Sequence, residues 1–209
     1  METRCWYCDV TELAEPERFA RGLAALPWPD RREKVLRFRR EKDRLLCLGA
    51  GLLCAQALRQ AGADDLSLTR SPLGKPALLR RGDLHFSLSH SGTLALCAVS
   101  GQPVGADVEG LRPPDQGVAR LTFQPRELAW LAAQPDQARA FTRLWTRKES
   151  LLKRLGDGFS RDPRSVSVLP GTPSAEGGFF GEWERAEHLL CVSLPAPAPV
   201  KLLPWRVEV

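Results

Sequence analysis

The chain has 209 residues, of which 43% are hydrophobic and 26% are charged, and its formal net charge is +5. This length and composition predict a globular protein with a real core, in one large domain or two small ones. No apolar run approaches the ~20 residues of a membrane span, and the N-terminus lacks the pattern of a signal peptide. We therefore expect a cytoplasmic protein whose positive charge suits an anionic partner: nucleic acid, a phosphate-rich small molecule or an acidic protein.

A long helix is the main element predicted in the first half of the chain. Asp30 followed by Glu33 resembles a capping box, and the helical pattern continues until Gly62. Gly49 and Gly51 are the positions where this helix would bend or divide. The predicted elements that follow are a short strand at 66–68, a turn at 74–76 and strands at 84–90 and 93–100.

The second half repeats the order of helix before apolar strands. Its predicted elements are a strand at 104–109, helices at 126–133 and 137–155, and strands at 165–169, 178–185, 188–194 and 201–209. Residues 96–100 also resemble residues 190–193. These patterns predict an α+β fold with two similar halves, residues 1–103 and residues 104–209.

Six cysteines occur without the spacing of a disulfide framework. Cys5 and Cys8 form a C-x-x-C pair, but they precede an acidic helix, and no second pair or pair of histidines accompanies them. The cysteines therefore read as small core residues rather than as a zinc or redox site.

The predicted helix at 137–155 carries an apolar arc that contains a lysine. The arc consists of Phe141, Leu144, Trp145, Leu151, Leu152 and Leu155. Lys148 projects into the middle of this arc, and Glu149 and Lys153 lie four residues apart along its edge. A lysine at such a position costs stability unless it snorkels to the surface or meets an anion. The helix alone does not distinguish a surface Glu–Lys pair from an anion-binding site.

Two carboxylates, those of Asp107 and Glu109, share one face of the strand predicted at 104–109. The apolar residues that alternate with them are Val104, Ala106 and Val108. Two carboxylates this close repel unless a cation lies between them, and an oxygen-only ligand set favours Mg²⁺ or Mn²⁺. Glu127 is a candidate third ligand. An exposed strand face is the alternative explanation of the same pattern.

Ser89, His90 and Ser91 offer polar side chains on another predicted strand. A serine hydrolase is disfavoured, because no G-x-S-x-G elbow is present and adjacent strand residues point to opposite faces. A histidine beside a phosphate and a hydrogen-bonded strand histidine stay as alternatives. Lys75 adds one cation on the turn at 74–76. The absence of P-loop and G-x-G-x-x-G motifs disfavours nucleoside triphosphate and dinucleotide folds.

Four short motifs occur in a fixed order and are much more specific as a set than singly. They are Gly74-Lys75-Pro76, Phe86-Ser87-Leu88-Ser89-His90-Ser91, Gly105-Ala106-Asp107-Val108-Glu109 and Trp145-Thr146-Arg147-Lys148-Glu149-Ser150-Leu151-Leu152-Lys153. The set closely resembles the 4'-phosphopantetheinyl transferase superfamily, over residues 31–159. The spacing and length resemble its Sfp-type branch, in which two similar halves form a pseudo-dimer within one chain.

The resemblance implies transfer of the phosphopantetheine arm of coenzyme A to a serine of an acidic apo acyl or peptidyl carrier protein, with release of adenosine 3',5'-bisphosphate. It assigns Mg²⁺, with Mn²⁺ as a substitute, to Asp107, Glu109 and Glu127. It assigns the coenzyme A phosphates to Lys75, Ser89, His90, Lys148 and Lys153, and the 3'-phosphate to Arg31 and Lys34. It makes Glu149 the base for the serine hydroxyl, with Lys153 and His90 completing the catalytic set.

The resemblance also implies a monomer that binds neither nucleic acid nor membranes. Two alternatives from other classes stay open: a coenzyme A or nucleic-acid binding module without catalysis, and a metal-dependent phosphodiesterase that removes the same arm. The carboxylates argue against the first alternative, because binding alone needs no such groups. The lack of metal-binding histidines argues against the second.

Overall fold

The structure is a computed structural model that describes residues 2–171 and 176–207. Its helices are α1 (Pro16–Ala25), α2 (Pro29–Arg37), α3 (Glu41–Gln60), α4 (Gln116–Thr122), α5 (Pro125–Ala132) and α6 (Gln137–Leu155). Its strands are β1 (Thr3–Asp9), β2 (Leu68–Arg70), β3 (Pro76–Leu78), β4 (His85–Ser91), β5 (Leu94–Ser100), β6 (Gly105–Gly110), β7 (Phe179–Arg185), β8 (His188–Leu194) and β9 (Val200–Pro204). None of these helices is both long and apolar enough to cross a membrane.

Two sheets, each packed against one long helix, frame the molecule. The first has the strand order β4-β5-β1-β9, with β1 antiparallel to β5 and parallel to β9. The second has the order β6-β8-β7 and is antiparallel throughout. Helix α3 packs against the first sheet and α6 against the second. The predicted α+β class is therefore confirmed.

The division of the chain into residues 1–103 and 104–209, and the pseudo-dimer built from it, stay predictions. One strand crosses that division, because β9 comes from the second half of the sequence and pairs with β1 in the first sheet. A separate hairpin of β2 and β3 lies outside both sheets.

Helix α3 is buried on every side, and every residue from Leu45 to Ala55 lies in the core. A helix that is apolar all round belongs inside a protein. Gly49 and Gly51 do not bend this helix. They allow close packing, since a Cβ at Gly49 would lie 2.5 Å from Val10 Cγ1, and one at Gly51 would lie 2.5 Å from Arg31 Nε.

The single helix predicted between Asp30 and Gly62 is divided into α2 and α3 at Phe38. The backbone of Phe38 is extended, with φ −66° and ψ 134°, and its ring packs against the core around α3. The guanidinium of Arg44, in the first turns of α3, donates from Nε to the Phe38 carbonyl at 2.7 Å. The break therefore follows from tertiary packing at Phe38 and not from a glycine.

Strand β1 was not predicted, although it lies between β5 and β9 in the first sheet. Cys5 and Cys8 belong to it, and both are buried and free. This position agrees with the expectation that they are core residues. Helix α4 was also missed; it begins after Asp115, whose side chain accepts a hydrogen bond from the Val118 backbone N–H at 3.0 Å.

Three predicted strands differ from the structure. The strand predicted at 66–68 corresponds to β2, which begins only at Leu68. Residues 165–169 form no strand, because Val166 and Val168 are buried beneath α5 and α6, where their backbone groups bond to side chains instead of to a ladder. The strand predicted at 201–209 corresponds to β9, which ends at Pro204; residues 208 and 209 lie outside the described residues.

Candidate active site

A cleft of about 450 Å³ lies between the two sheets, bordered by α2, α3 and β4 on one side and by β6 and α6 on the other. It collects most of the side chains that the motifs single out. The predicted site residues that line it are Arg31, Lys34, Ser89, His90, Asp107, Glu109, Glu149 and Lys153.

Alternate serines of β4 connect the first sheet to β6 in the second. Ser87 Oγ accepts from the Ala106 backbone N–H at 2.9 Å, and Ser89 Oγ donates to Asp107 Oδ1 at 2.7 Å. Ser91 Oγ donates to a Glu109 carboxylate oxygen at 2.8 Å. Residues i, i+2 and i+4 of a strand share a face, so this face of β4 sets the position of both acidic side chains.

The two carboxylate oxygens of Asp107 differ in their hydrogen bonding within the described part of the chain. Lys153 Nζ lies 2.7 Å from Asp107 Oδ1 and 3.0 Å from Ser89 Oγ. The second carboxylate oxygen, Oδ2, is buried and accepts no hydrogen bond from the described residues. Burial raises the pKa of the Asp107 carboxyl, and the nearby Lys153 ammonium opposes that rise.

Glu149 adds a third carboxylate beside Asp107 and Glu109, and Asp43 of α3 lines the cleft as a fourth. Burial and the neighbouring charge of Asp107 raise its pKa to about 7, while Lys153 acts in the opposite direction. A carboxyl group with a pKa near neutrality accepts a proton more readily than an ordinary surface glutamate does. Perturbed titratable groups of this kind are characteristic of functional sites.

The chemistry of the cleft fits a divalent cation, although the present side-chain positions do not form a complete cage. Among residues 2–171 and 176–207, no group of three or more His, Cys, Asp and Glu side chains is arranged to hold an ion. The buried and unpaired oxygen of Asp107 beside Glu109 nevertheless offers a hard anionic donor pair. Carboxylate oxygens are the ligands that Mg²⁺ and Mn²⁺ prefer.

Cations surround His90 on the opposite side of the cleft. Arg31 is anchored by two hydrogen bonds from its guanidinium to the Cys47 carbonyl, at 3.2 and 3.1 Å. His90 is exposed on one side, and the partial loss of its hydration, followed by the charges of Arg31 and Lys153, lowers its pKa; Lys34 adds to this effect. This concentration of positive charge would favour an anion with several phosphate groups.

Glu127 and Lys148 do not lie in the cleft. They form an ion pair in the core, in which Lys148 Nζ lies 3.0 and 2.9 Å from the two Glu127 oxygens and 2.7 Å from the Val166 carbonyl. Glu127 also accepts from the backbone N–H groups of Gln124 and Val168, at 2.8 and 2.7 Å. Burial lowers the pKa of Lys148, and the Glu127 carboxylate opposes this.

The geometry of this pair corrects two expectations. The carboxylate of Glu127 is already fully occupied as the capping-box residue of α5 and as the partner of Lys148, so it has no position facing the cleft for a metal. The anionic partner of Lys148 is the buried Glu127 carboxylate, so the Lys148 ammonium is not accessible to a phosphate in the cleft.

Lys75 also lies outside the cleft, on a neighbouring groove. Its Nζ donates to the carbonyls of Val104 and Arg154, at 3.2 and 3.0 Å, and so joins the turn before β3 to the end of α6. Burial and the charge of Arg154 lower its pKa to about 8. The groove, of about 280 Å³, shares Leu88 and Lys153 with the cleft.

Ser91 and Trp145 are site residues that the sequence did not single out for a role. Trp145 Nε1 donates to Glu109 Oε1 at 3.3 Å, opposite the bond from Ser91 to Oε2. The period-two spacing of serines in β4 was a signal that could have found Ser91. The contact of Trp145 joins residues 36 apart in the chain, and no local pattern reveals it.

Comparison with known proteins extends over most of the chain. Residues 103–196 match the family model of the 4'-phosphopantetheinyl transferase superfamily. A 4'-phosphopantetheinyl transferase of Bacillus subtilis is 36% identical over 159 residues, which are 74% of this chain and 69% of that protein. The 4'-phosphopantetheinyl transferase AcpT of Salmonella typhimurium is 40% identical over 160 residues, 70% of this chain and 80% of that protein. The 4'-phosphopantetheinyl transferase HetI of Nostoc sp. is 34% identical over 174 residues, 78% and 73% of the two chains.

Proposed function

The chain belongs to the 4'-phosphopantetheinyl transferase superfamily, and we propose on this premise that it transfers the 4'-phosphopantetheine arm of coenzyme A to a serine of an apo carrier protein. The observation that carries the proposal is the cleft between the two sheets, in which Asp107, Glu109, Glu149 and Lys153 meet. A site with three carboxylates and a lysine suits phosphoryl transfer, in which positioning and charge neutralisation supply most of the catalysis.

In the proposed reaction, the serine oxygen of the carrier forms a bond to the phosphorus that bears the pantetheine arm. The bond from this phosphorus to the bridging oxygen of the diphosphate breaks, and adenosine 3',5'-bisphosphate leaves with that oxygen. Glu149 takes the serine proton, a role that its raised pKa supports. Lys153 neutralises charge on the phosphoryl oxygens from its position beside Asp107 and Ser89.

Asp107 and Glu109 would hold Mg²⁺, or Mn²⁺ in its place. The cation would neutralise negative charge on the diphosphate when it is bound. The unpaired Asp107 oxygen supports this assignment, and Glu149 is the third carboxylate of the same cleft. The protein's own contribution is to hold these oxygens near one another at a cost in burial and repulsion, which a cation would relieve.

Arg31, Lys34 and His90 would bind the remaining phosphates of coenzyme A. Arg31 and Lys34 lie near the N-terminus of α2 and in its middle, on the same wall of the cleft as His90. Their shared position supports a 3'-phosphate site. Lys75 does not line the cleft, and its ammonium bonds to two carbonyls. We propose that it contributes positive charge from the adjoining groove, which shares Lys153 with the cleft.

An acidic carrier protein suits the surface beside the cleft. Three exposed cations lie at the junction of α2 and α3, with the exposed Glu41 among them: Arg39, Arg40 and Lys42. Leu36, which is 57% exposed, adds an apolar contact next to them. A partner with complementary negative charge would be steered to the mouth of the cleft by this surface. We propose that the protein acts as a monomer in the cytoplasm.

The direct test is incubation of the protein with coenzyme A, Mg²⁺ and a panel of apo acyl and peptidyl carrier proteins, read by intact mass. We expect one or more carriers to gain a single phosphopantetheine arm. A carrier in which the acceptor serine is replaced by alanine should gain nothing, and D107N should be inactive. The proposal fails if no carrier is modified although the protein is folded and binds coenzyme A, which would favour the binding module without catalysis.

A nucleic-acid binding module makes a different prediction. It requires salt-dependent affinity for DNA or RNA carried by the cations of α2 and α3. Fluorescence anisotropy with labelled duplexes, measured on the wild type and on R39E/R40E, separates the two functions. Under the transferase proposal, the variant loses affinity for the carrier, and the wild type shows no saturable binding of the duplex at physiological salt.

A further inference from the structure

The Glu109 carboxylate is held at both oxygens by residues from different elements. Ser91 Oγ, at the end of β4, donates to Oε2 at 2.8 Å, and Trp145 Nε1, on α6, donates to Oε1 at 3.3 Å. Each carboxylate oxygen has two lone pairs. The two hydrogen bonds therefore fix the plane of the carboxylate and leave one lone pair on each oxygen for another ligand.

The position of Ser91 is itself determined by tight packing. Gly92, which follows it, has a φ of +60°, and a Cβ at Gly92 would overlap Nε2 of His188 at the start of β8. His188 pairs with Gly110, the residue after Glu109. The turn after β4 thus packs against His188 of β8, which is paired with β6, the strand that carries Glu109. The Ser91 hydroxyl therefore cannot easily move away from the carboxylate.

Asp107 differs from Glu109 in how it is held. Ser89 and Lys153 both bond to Asp107 Oδ1, and Oδ2 has no partner among the described residues. Asp107 could therefore bind a cation through Oδ2, which accepts no hydrogen bond from the described residues. Glu109 could bind it through a carboxylate whose orientation is fixed by a hydrogen bond to each oxygen. A cation bound between them would depend on that orientation, because outer-sphere hydrogen bonds set the geometry and basicity of metal ligands.

We infer that Ser91 and Trp145 are positioning residues that hold the Glu109 carboxylate in the orientation needed to bind a divalent cation. The inference rests on the proposed transferase function and its metal. Neither residue touches a reacting atom, so both act through Glu109. A purely structural role for Ser91, as one more bond between β4 and β6, is the competing explanation.

Ser87 provides a matched control for that explanation. Its hydroxyl also joins β4 to β6, but it bonds to the backbone N–H of Ala106 and to no carboxylate. S87A therefore removes a connection between the same two strands without changing the surroundings of Glu109. S91T is the rescue variant, since threonine keeps the hydroxyl and fits a strand.

The experiment measures Mn²⁺ binding to the wild type, S91A, S91T, S87A and W145F by the electron paramagnetic resonance signal of free Mn²⁺, with melting temperatures recorded in parallel. We expect S91A to bind Mn²⁺ about 10-fold more weakly, as for other residues that orient a metal ligand. W145F should show a smaller loss because its bond is longer. S91T and S87A should keep the wild-type affinity. The Mg²⁺ concentration for half-maximal transfer should rise in S91A, with the KM for the carrier protein unchanged.

Two outcomes would overturn the inference. If S91A and S87A lower the melting temperature equally and both keep wild-type Mn²⁺ affinity, Ser91 only joins the strands. If the wild type binds no Mn²⁺ with or without coenzyme A, the metal assignment behind the inference is wrong. Transfer to the carrier, read separately by mass, then shows whether the proposed function survives that result.

Discussion

Helix α6 carries two lysines that each pair with a carboxylate, and the two pairs differ in their exposure to solvent and in their hydrogen bonding. Lys148 pairs with Glu127, and these side chains are 1% and 0% exposed. Lys153 pairs with Asp107, and these are 31% and 3% exposed. The first pair is buried completely, while the second opens into the cleft on the lysine side.

The two pairs also differ in how completely the carboxylate oxygens are hydrogen-bonded. Both oxygens of Glu127 are occupied, by Lys148 and by two backbone N–H groups. Asp107 has one buried oxygen that finds no hydrogen-bond donor in residues 2–171 and 176–207. A buried charge is tolerated in a core when it is fully satisfied. A buried carboxylate oxygen at a cleft is costly to leave without a hydrogen-bond partner, and a bound cation or an ordered water would satisfy it. The comparison teaches that a lysine–carboxylate pair alone identifies neither a structural nor a functional role.

K148M gives the largest expected effect, on stability. Removing Lys148 leaves the Glu127 charge buried without its partner, and we expect the free energy of unfolding to fall by about 3–5 kcal/mol. Chemical denaturation measures this loss. In the fraction that remains folded, the KM for coenzyme A should equal that of the wild type. A variant of normal stability with weakened coenzyme A binding would return Lys148 to the phosphate site.

K153M, the matched variant on the same helix, should have the opposite effect: a large loss of activity and a small loss of stability. We expect turnover to fall by about 10²–10³-fold, because the charge opposite the phosphoryl group is lost. The loss of stability should be smaller than in K148M, since Lys153 is partly exposed and Asp107 keeps its bond from Ser89. Steady-state kinetics and denaturation of both variants test the pair. If K153M unfolds more easily than K148M and its turnover is normal, the roles are exchanged.

Charge reversal in R31E/K34E extends the comparison to cations of the cleft that form no ion pair with a carboxylate of the described residues. We expect the KM for coenzyme A to rise by about tenfold or more, because a charge-assisted contact contributes roughly 1.5–3 kcal/mol. The KM for dephospho-coenzyme A, which lacks the 3'-phosphate, should change less. Equal losses for both substrates would mean that these residues do not contact that phosphate. The pair R21E/R59E, at exposed positions of α1 and α3 that do not line the cleft, is a control for general loss of positive charge.

Lys75 gives the smallest expected effect and concerns a third kind of lysine, one whose partners are carbonyls. Burial and the charge of Arg154 lower the pKa of Lys75 in the folded protein to about 8, below the ordinary lysine value of 10.5. The unfolded chain therefore binds more protons than the folded protein between these values, and stability should rise with pH from about 8 toward 10. In K75M this contribution should vanish. Denaturation of both proteins at pH 7.5 and 9.5 measures it, and an identical pH dependence in the two would show that Lys75 does not titrate in this range.

Much of the fold could be predicted because the second half has strong local patterns. The bounds of α6 and β8 match their predicted ranges, since a 3.6-residue apolar arc and a continuous apolar strand are visible in the sequence. Strand β1 was missed because it is buried in the middle of a sheet and shows no clean alternation. Its partners β5 and β9 lie far along the chain, and local propensity contains no information about them.

The cleft was predictable in part for the same reason. Asp107 and Glu109 share a strand face, and Glu149 and Lys153 share a helix edge, so each pair follows from local geometry. That these two pairs meet in one cleft depends on the tertiary structure, because Asp107 and Lys153 are separated by 46 positions in the chain. The motif that contains Lys148 did not reveal that this lysine faces the core.

The sequence by itself determined the secondary structure of the catalytic segments, the family to which the chain belongs and the residue types of the site. Only the tertiary structure decided which charge meets which. Glu127 lies 21 residues from Lys148 in the chain and forms an ion pair with it in the core. Ser91 and Trp145 both donate hydrogen bonds to Glu109, from two different elements. The physical reason is that the period of a helix or strand specifies the direction of a side chain relative to its own element. Which residue the side chain contacts in that direction depends on how elements distant in the sequence pack together.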